Sequence, residues 1–218
     1  MRRSADFEPT YWGQNKPGMQ AREELTGLKL TAAKALWHSS KLSAVAHHKA
    51  LEWLGLHKQH TNRIIEPYLW VDGVISATEW DNFFTLRCHS DAQPEFCKLA
   101  TKIAEARSVS IPDKLGDGRW HLPYITPEDF TVLRSMIRLD AFRASRNISA
   151  ARCARVSYGL DKPFDIEADL KRAAMLLSAV PQHRSPFEHV AVALPDSTPS
   201  ANFIGWQQYR KQLETNAN

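Results

Sequence analysis

The absences in this sequence narrow the field first. The 218 residues contain three cysteines, Cys88, Cys97 and Cys153. They form no Cys-x-x-Cys pair, which argues against a thiolate zinc site, and no metal is expected. Their odd number and wide spacing argue against a disulfide framework, so a reducing cytoplasm is the expected compartment. No run of about 20 apolar residues occurs, so no membrane-spanning helix is expected. Met1-Arg2-Arg3-Ser4 leads into no apolar stretch, so no secretory leader is expected. Internal repeats and low-complexity tracts are missing too. There is no Gly-x-Gly-x-x-Gly fingerprint of a dinucleotide-binding βαβ unit.

What is present reads as a globular chain. Lys and Arg outnumber Asp and Glu by 28 to 24, a formal charge of +4. Such a mildly basic balance suits an anionic small molecule as well as nucleic acid. Seven Trp and nine Phe supply the material for a core, each burial being worth roughly 1.5–3 kcal/mol. A single domain over residues 1–218 is expected. Its first 20 residues form an extended arm punctuated by Pro9, Gly13, Pro17 and Gly18. Tyr11, Trp12 and Met19 are too apolar for a free tail and are expected to dock.

Apolar spacing predicts a mixed, helix-rich α+β chain. A helix is expected over 31–54, with Ala32, Ala35, Leu36, Ser39, Ser43, Ala46, Ala50 and Trp53 as its buried stripe and Gly55 at its C′ position. A second runs over 57–65 and stops at Pro67. Residues 68–75 read either as a short hairpin or as a loop plus strand. Ser76-x-x-Glu79 has the form of a capping box for a helix over 77–89 that buries Trp80, Phe83 and Phe84. Asp91 is expected to cap the next helix, with Pro94 in its first turn and Phe96, Leu99, Ala100 and Ile103 inward. Residues 108–128 read as loop. One helix is expected over 128–146, with Phe130, Leu133, Ile137 and Ala141 on its inner face. Residues 150–158 fit helix or strand. Asp165 is expected to cap a helix that buries Leu170, Ala173, Ala174 and Leu177, and Val190–Leu194 reads as a strand.

Four segments carry chemistry. Asn62-Arg63 offers a guanidinium that could grip a phosphate, or one that simply faces Glu66 at the surface. Asn82 and Arg87 accompany Phe83, Phe84 and Leu86, as a clamp for a planar anion or as an amphipathic helix with a solvated Arg. His183-Arg184-Ser185-Pro186-Phe187-Glu188-His189 crowds imidazoles, a hydroxyl and a carboxylate before a strand, as a ligand loop or as a structural turn. Ala154-Arg155-Val156-Ser157-Tyr158 follows Arg146 and Arg152, as a site or as a basic helix end. A nucleic-acid face built from Arg134, Arg138, Arg143, Arg146, Arg152 and Arg155 is disfavoured. Asp129, Asp140, Asp161 and Asp165 lie among or beside them, and the net charge is small.

Together ARVSY (154–158), HxSPFEH (183–189), NRxxEP (62–67) and NFFxLR (82–87) followed by AQPE (92–95) resemble the flavin-dependent thymidylate synthases. The segment order is reversed from the family's common arrangement. It is similar to a rearranged branch associated with bacteriophage and some bacterial genomes. GQNKPGMQA (13–21), HKQ (57–59), WHLP (120–123) and NFIGWQQYRK (202–211) look like that branch as well. The resemblance implies a thymidylate synthase-complementing-type fold, with a small sheet packed on long helices, assembled as a homotetramer. It implies FAD as cofactor, NADPH as reductant, methylenetetrahydrofolate as carbon donor and dUMP as the substrate methylated to dTMP. By the same resemblance Arg63 and Arg87 would bind dUMP, with Arg87 the catalytic candidate. Asn82, Leu86, Ser157, His183, Ser185 and Glu188 would contact FAD.

One departure stands out. The family's signature stretch, a strand ending in an Arg/His-rich loop, is expected upstream of the Gly-Gln-Asn arm in this branch. The sequence begins at that arm, and Gln208-Tyr209-Arg210-Lys211 does not reproduce the stretch. A complementary N-terminal fragment, a misplaced chain start, or a degenerate non-catalytic protein is the corresponding expectation.

Overall fold

The computed structural model describes residues 5–17, 21, 23–135, 138–159 and 163–215, with Arg138 and Leu139 as backbone only. Gly18, Met19, Ile137 and Asp161 of the sequence reading lie outside the described residues, as does the Arg138 side chain. The chain is mixed α and β, helix-rich, with a small sheet. It divides into two compact units, Met1–Val71 with Asp81–Ser110, and Asp72–Trp80 with Ile111–Asn218.

The first unit is built on α1 (Gly27–Trp53). Its end is a Schellman motif: Gly55 N donates to Glu52 O and Leu56 N to Leu51 O, at 3.0 and 2.9 Å. Gly55 sits at φ +86°, where a Cβ would be strained. The inward face of α1 differs from the expected stripe. Ala33, Trp37, Ala44 and His48 are at least partly buried, whereas Ala32, Ala35, Ser39, Ser43, Ala46 and Ala50 are exposed. Leu36 and Trp53 on that outer stripe are 70% and 85% exposed. The arm decides the matter, because Trp12 and Tyr68 pack edge-on against Trp37 and Trp37 Nε1 donates to Phe7 O. Docking of the arm is thus observed for Trp12.

Helix α2 (Lys58–Ile65) is capped by His57, whose ring accepts from Gln59 N. A 3₁₀ turn over Glu66–Tyr68 holds Pro67. Residues 70–75 form neither hairpin nor strand; only Leu69 bridges, to Ala5. Helix α3 (Asp81–Arg87) starts later than expected. The Ser76 capping box does not form, because Ser76 and Thr78 are taken by tertiary partners. Asn202 Nδ2 donates to Ser76 O and Ile204 N to Thr78 Oγ1, both at 2.8 Å. Helix α4 (Pro94–Val109) has Pro94 at its first position as expected, but Gln93, not Asp91, is its N-cap residue. Of its expected inner face Ala100 is buried and Ile103 half-buried, while Phe96 and Leu99 are 51% and 53% exposed.

The second unit holds an antiparallel sheet of order β1-β2-β5. Strand β1 (Trp120–His121) lies inside the stretch read as loop. The helix expected over 128–146 is two, α5 (Pro127–Leu133) and α6 (Arg138–Ala154). Thr126 and Asp129 form a reciprocal capping box on α5. After it, Ser135 donates both N and Oγ to Val132 O, a local bond that competes with helical continuation. Residues 150–154 are helical, and α7 (Val156–Gly159) follows, so no strand forms there. Asp165 caps α8 (Ile166–Ser178) through Ala168 N, as expected. Ala173 is buried, with Leu170 and Leu177 half-buried, but Ala174 faces out.

A 3₁₀ turn, Ser185–Glu188, leads into β2 (Ala191–Ala193), the expected strand. Strands β3 (Pro199–Ser200) and β4 (Phe203–Ile204) make a separate hairpin. Strand β5 (Trp206–Gln208) pairs with β2, and α9 (Tyr209–Thr215) closes the unit. Ala150, Ala151, Ala173, Phe187, Val190 and Tyr209 form the main core cluster, and Leu133, Ala144 and Ile148 a second one.

Candidate functional site

The second unit contains a cleft of about 960 Å³, within the range of small-molecule sites. Cys153 and Ala154 end α6 on one side, and Tyr158 of α7 stands beside them. Helix α8 presents Ala168, Lys171, Arg172, Met175 and Leu176, residues that recur at three- and four-residue spacing and so share a face. His183, Ser185, Pro186, Glu188 and His189 supply the opposite side.

Each part is held for a physical reason. Phe187 is fully buried and packs on Tyr209 with ring centroids 5.8 Å apart, which pins the Ser185–Glu188 turn to the core. Gln208 Nε2 donates to Glu188 O at 3.2 Å, and the Glu188 carboxylate accepts from Arg210. His183 N donates to Leu176 O at 2.9 Å, which ties the loop back to α8. His189 Nδ1 lies 3.2 Å from Ser76 Oγ. Burial pushes the His189 imidazole below its ordinary 6.5; Glu188 opposes this and His121 adds to it. Burial also drives the Cys153 thiol up to about 12, so it remains a neutral, inert wall residue.

Behind α8 lies a buried ion network. The Arg152 side chain is 0% exposed. Its Nη2 donates to Asp129 Oδ1 and its Nε to Asp169 Oδ2, each at 2.8 Å, and Nη1 reaches Tyr124 O at 2.6 Å. Its guanidinium carbon sits 4.2 Å from the Phe164 ring centroid. The bond from Arg152, more than any other influence, holds the Asp129 carboxyl below its usual value; burial opposes it and Thr126 N reinforces it. Asp169, also fully buried, receives Arg172 Nη1 on its other oxygen at 2.8 Å. Arg155 is buried as well, 3.7 Å from that oxygen. Arg152 and Arg155 therefore belong to the interior, and the basic face they would have contributed to nucleic acid does not exist as drawn. Arg146 is likewise engaged, 4.7 Å from the Trp120 ring and 4.9 Å from the Tyr209 ring.

Of the residues singled out in the sequence, His183, Ser185 and Glu188 line the cleft together, and Ser157 is exposed next to the lining residue Tyr158. Arg63, Asn82, Leu86 and Arg87 belong to the first unit and are exposed. Arg63 Nη1 donates to Glu66 at 3.0 and 2.9 Å, the surface pairing open in the sequence. Arg87 lies 5.9 Å from the Phe96 ring of α4. Lys171, Arg172 and Met175 went unnoticed, although their helical spacing with Ala168 and Ala179 marks a second face of α8.

Among the described residues no group of three His, Cys, Asp or Glu side chains is arranged to hold a metal, and no helix is long and apolar enough to cross a membrane. No protein-family model matches the chain, no curated protein matches it in sequence, and no solved structure matches it in fold.

Proposed function

We propose that the cleft of the second unit binds FAD and that the chain belongs to an FAD-dependent methylation of dUMP to dTMP. NADPH serves as reductant and methylenetetrahydrofolate as carbon donor. The observation that carries this reading is that two segments of the resemblance, 154–158 and 183–189, line the same cleft. His183, Ser185 and Glu188, assigned to flavin by resemblance, line one cleft, with Ser157 beside it. The donor set fits such a cofactor. Ser185 and His183 offer hydrogen bonds to ring edges or phosphate oxygens, Ala154, Met175 and Leu176 offer apolar contact, and Tyr158 offers a ring to stack on.

When bound, FAD supplies the hydride chemistry; the protein supplies binding, orientation and electrostatics. The Glu188–Arg210 pair fixes the turn that carries Ser185. The half-buried His189 stays neutral near pH 7 and offers ring nitrogens rather than a charge. By the same resemblance Arg63 and Arg87 serve dUMP, Arg87 being the catalytic candidate, and Asn82 and Leu86 contact flavin; all four are exposed on the first unit. Exposed apolar residues on α1, Leu36, Leu42 and Trp53, suit a homo-oligomer, a tetramer in this reading. A cytoplasmic location belongs to the same proposal.

The test is an absorbance titration of the purified chain with FAD and then dUMP. Shifted flavin bands, perturbed again by dUMP and lost in Ser185→Ala, are expected. A well-folded chain that leaves the flavin spectrum unchanged overturns the proposal.

A further inference from the structure

The α8 wall of the cleft carries two adjacent cations that none of the recognised motifs contains. Arg172 is 29% exposed and gives Nη1 to Asp169, which is itself fully buried and fixed by Arg152. The guanidinium at the cleft wall is therefore oriented by the core rather than left to sample rotamers. A guanidinium carries five N–H donors in a rigid fork, so further donors remain after Asp169 takes one. Lys171, the neighbouring residue, is exposed, lines the same cleft and forms no ion pair among the described residues. Among the described residues the one carboxylate in the lining, Glu188, is paired with Arg210. Arg152, Arg155 and Arg172 gather on Asp129 and Asp169, while the Lys171 ammonium remains at the wall outside that network. Across from it, His183 and Ser185 add further hydrogen-bonding groups.

We propose that Lys171 and Arg172 form the phosphate-binding edge of this cleft, so that it selects a phosphorylated ring-bearing ligand over its unphosphorylated counterpart. This rests on the flavin reading for the identity of the ring, not for the phosphate edge. Arg172 supplies directional donors set by Asp169, and Lys171 supplies a mobile point charge that follows the phosphate.

The experiment titrates the full chain, and its Lys171→Gln and Arg172→Gln variants, with FAD, FMN and riboflavin, followed by flavin fluorescence. Circular dichroism verifies the fold of each variant. Lys171→Gln, at an exposed position, is expected to fold normally and to weaken FAD and FMN binding on the order of ten-fold, the size of a lost charge-assisted hydrogen bond. Riboflavin affinity stays unchanged, and added salt narrows the difference between the wild-type chain and the variant. Equal weakening for riboflavin and FAD, or no weakening for either, overturns the proposal. If the wild-type chain binds no flavin, ADP is the probe. Lys171-dependent, salt-sensitive ADP binding then supports the phosphate edge while the flavin reading falls, and absence of ADP binding overturns both.

Discussion

The two units bury themselves very differently. Among the described residues only His48, Thr61 and Ala100 of the first unit are buried, whereas the second holds both hydrophobic clusters and the Arg152 network. In the first unit His48 Nδ1 and Thr61 Oγ1 are buried without a hydrogen-bond partner. In the second, the large buried guanidinium has several. Both units expose large apolar side chains, but on α1 (Leu28, Leu36, Leu42 and Trp53) and α4 (Phe96 and Leu99) they accompany a nearly absent interior, whereas in the second unit Ile111, Phe130 and Val180 lie outside a closed core. A unit with a closed core can hold side chains still around a ligand; one with apolar faces open is suited to gaining contacts from elsewhere.

The largest effect should come from the second unit's interior. Arg152→Ala leaves two carboxylates without their main partner and is expected to cost about 3–5 kcal/mol in urea denaturation. A loss of under about 1 kcal/mol, the scale of an exposed pair, would erase the contrast.

Acid should act in the same place. The Asp129 carboxyl is held below its ordinary 3.8, so its contribution is complete above that value and is lost as pH falls through the lowered one. His189 is held below 6.5, so the fold favours its neutral form; that contribution too is complete above 6.5 and is lost on acidification through the depressed value. The urea midpoint should begin to fall below pH 6.5 and steepen below 3.8; His121, also held below 6.5 by burial, acts in the same window, so His189→Asn should flatten only part of the upper slope. Unchanged stability between those values in the wild-type chain would contradict the assignment.

The smallest effect is expected on α1. Leu36→Ser with Trp53→Ser should change the stability of the monomer by no more than about 0.5 kcal/mol, since both side chains face out. The pair should nevertheless shift sedimentation toward the monomer if the open stripe joins copies. A large loss of monomer stability would place that stripe inside.

This contrast also explains what was legible in the sequence. Local signals with local causes read well: Gly55 ends α1, Pro94 opens α4, Asp165 caps α8, and β2 shows its alternation. Signals decided by distant partners did not. The Ser76 box lost to bonds from Asn202 and Ile204, while the true box at Thr126 sat in a stretch read as loop. The α1 stripe was read by period alone, which cannot tell a face that meets the arm at Trp37 from one left open. At the site, His183, Ser185 and Glu188 were visible because they crowd one short segment. Lys171 and Arg172 were hidden because their significance depends on α8 turning them toward that segment.

The most direct test of the flavin-binding cleft is hydrogen exchange of the full chain with and without FAD. The account predicts added protection in peptides covering 153–158, 168–179 and 183–189, with little change along α1. Protection confined to other segments, or none at saturating FAD, would contradict it.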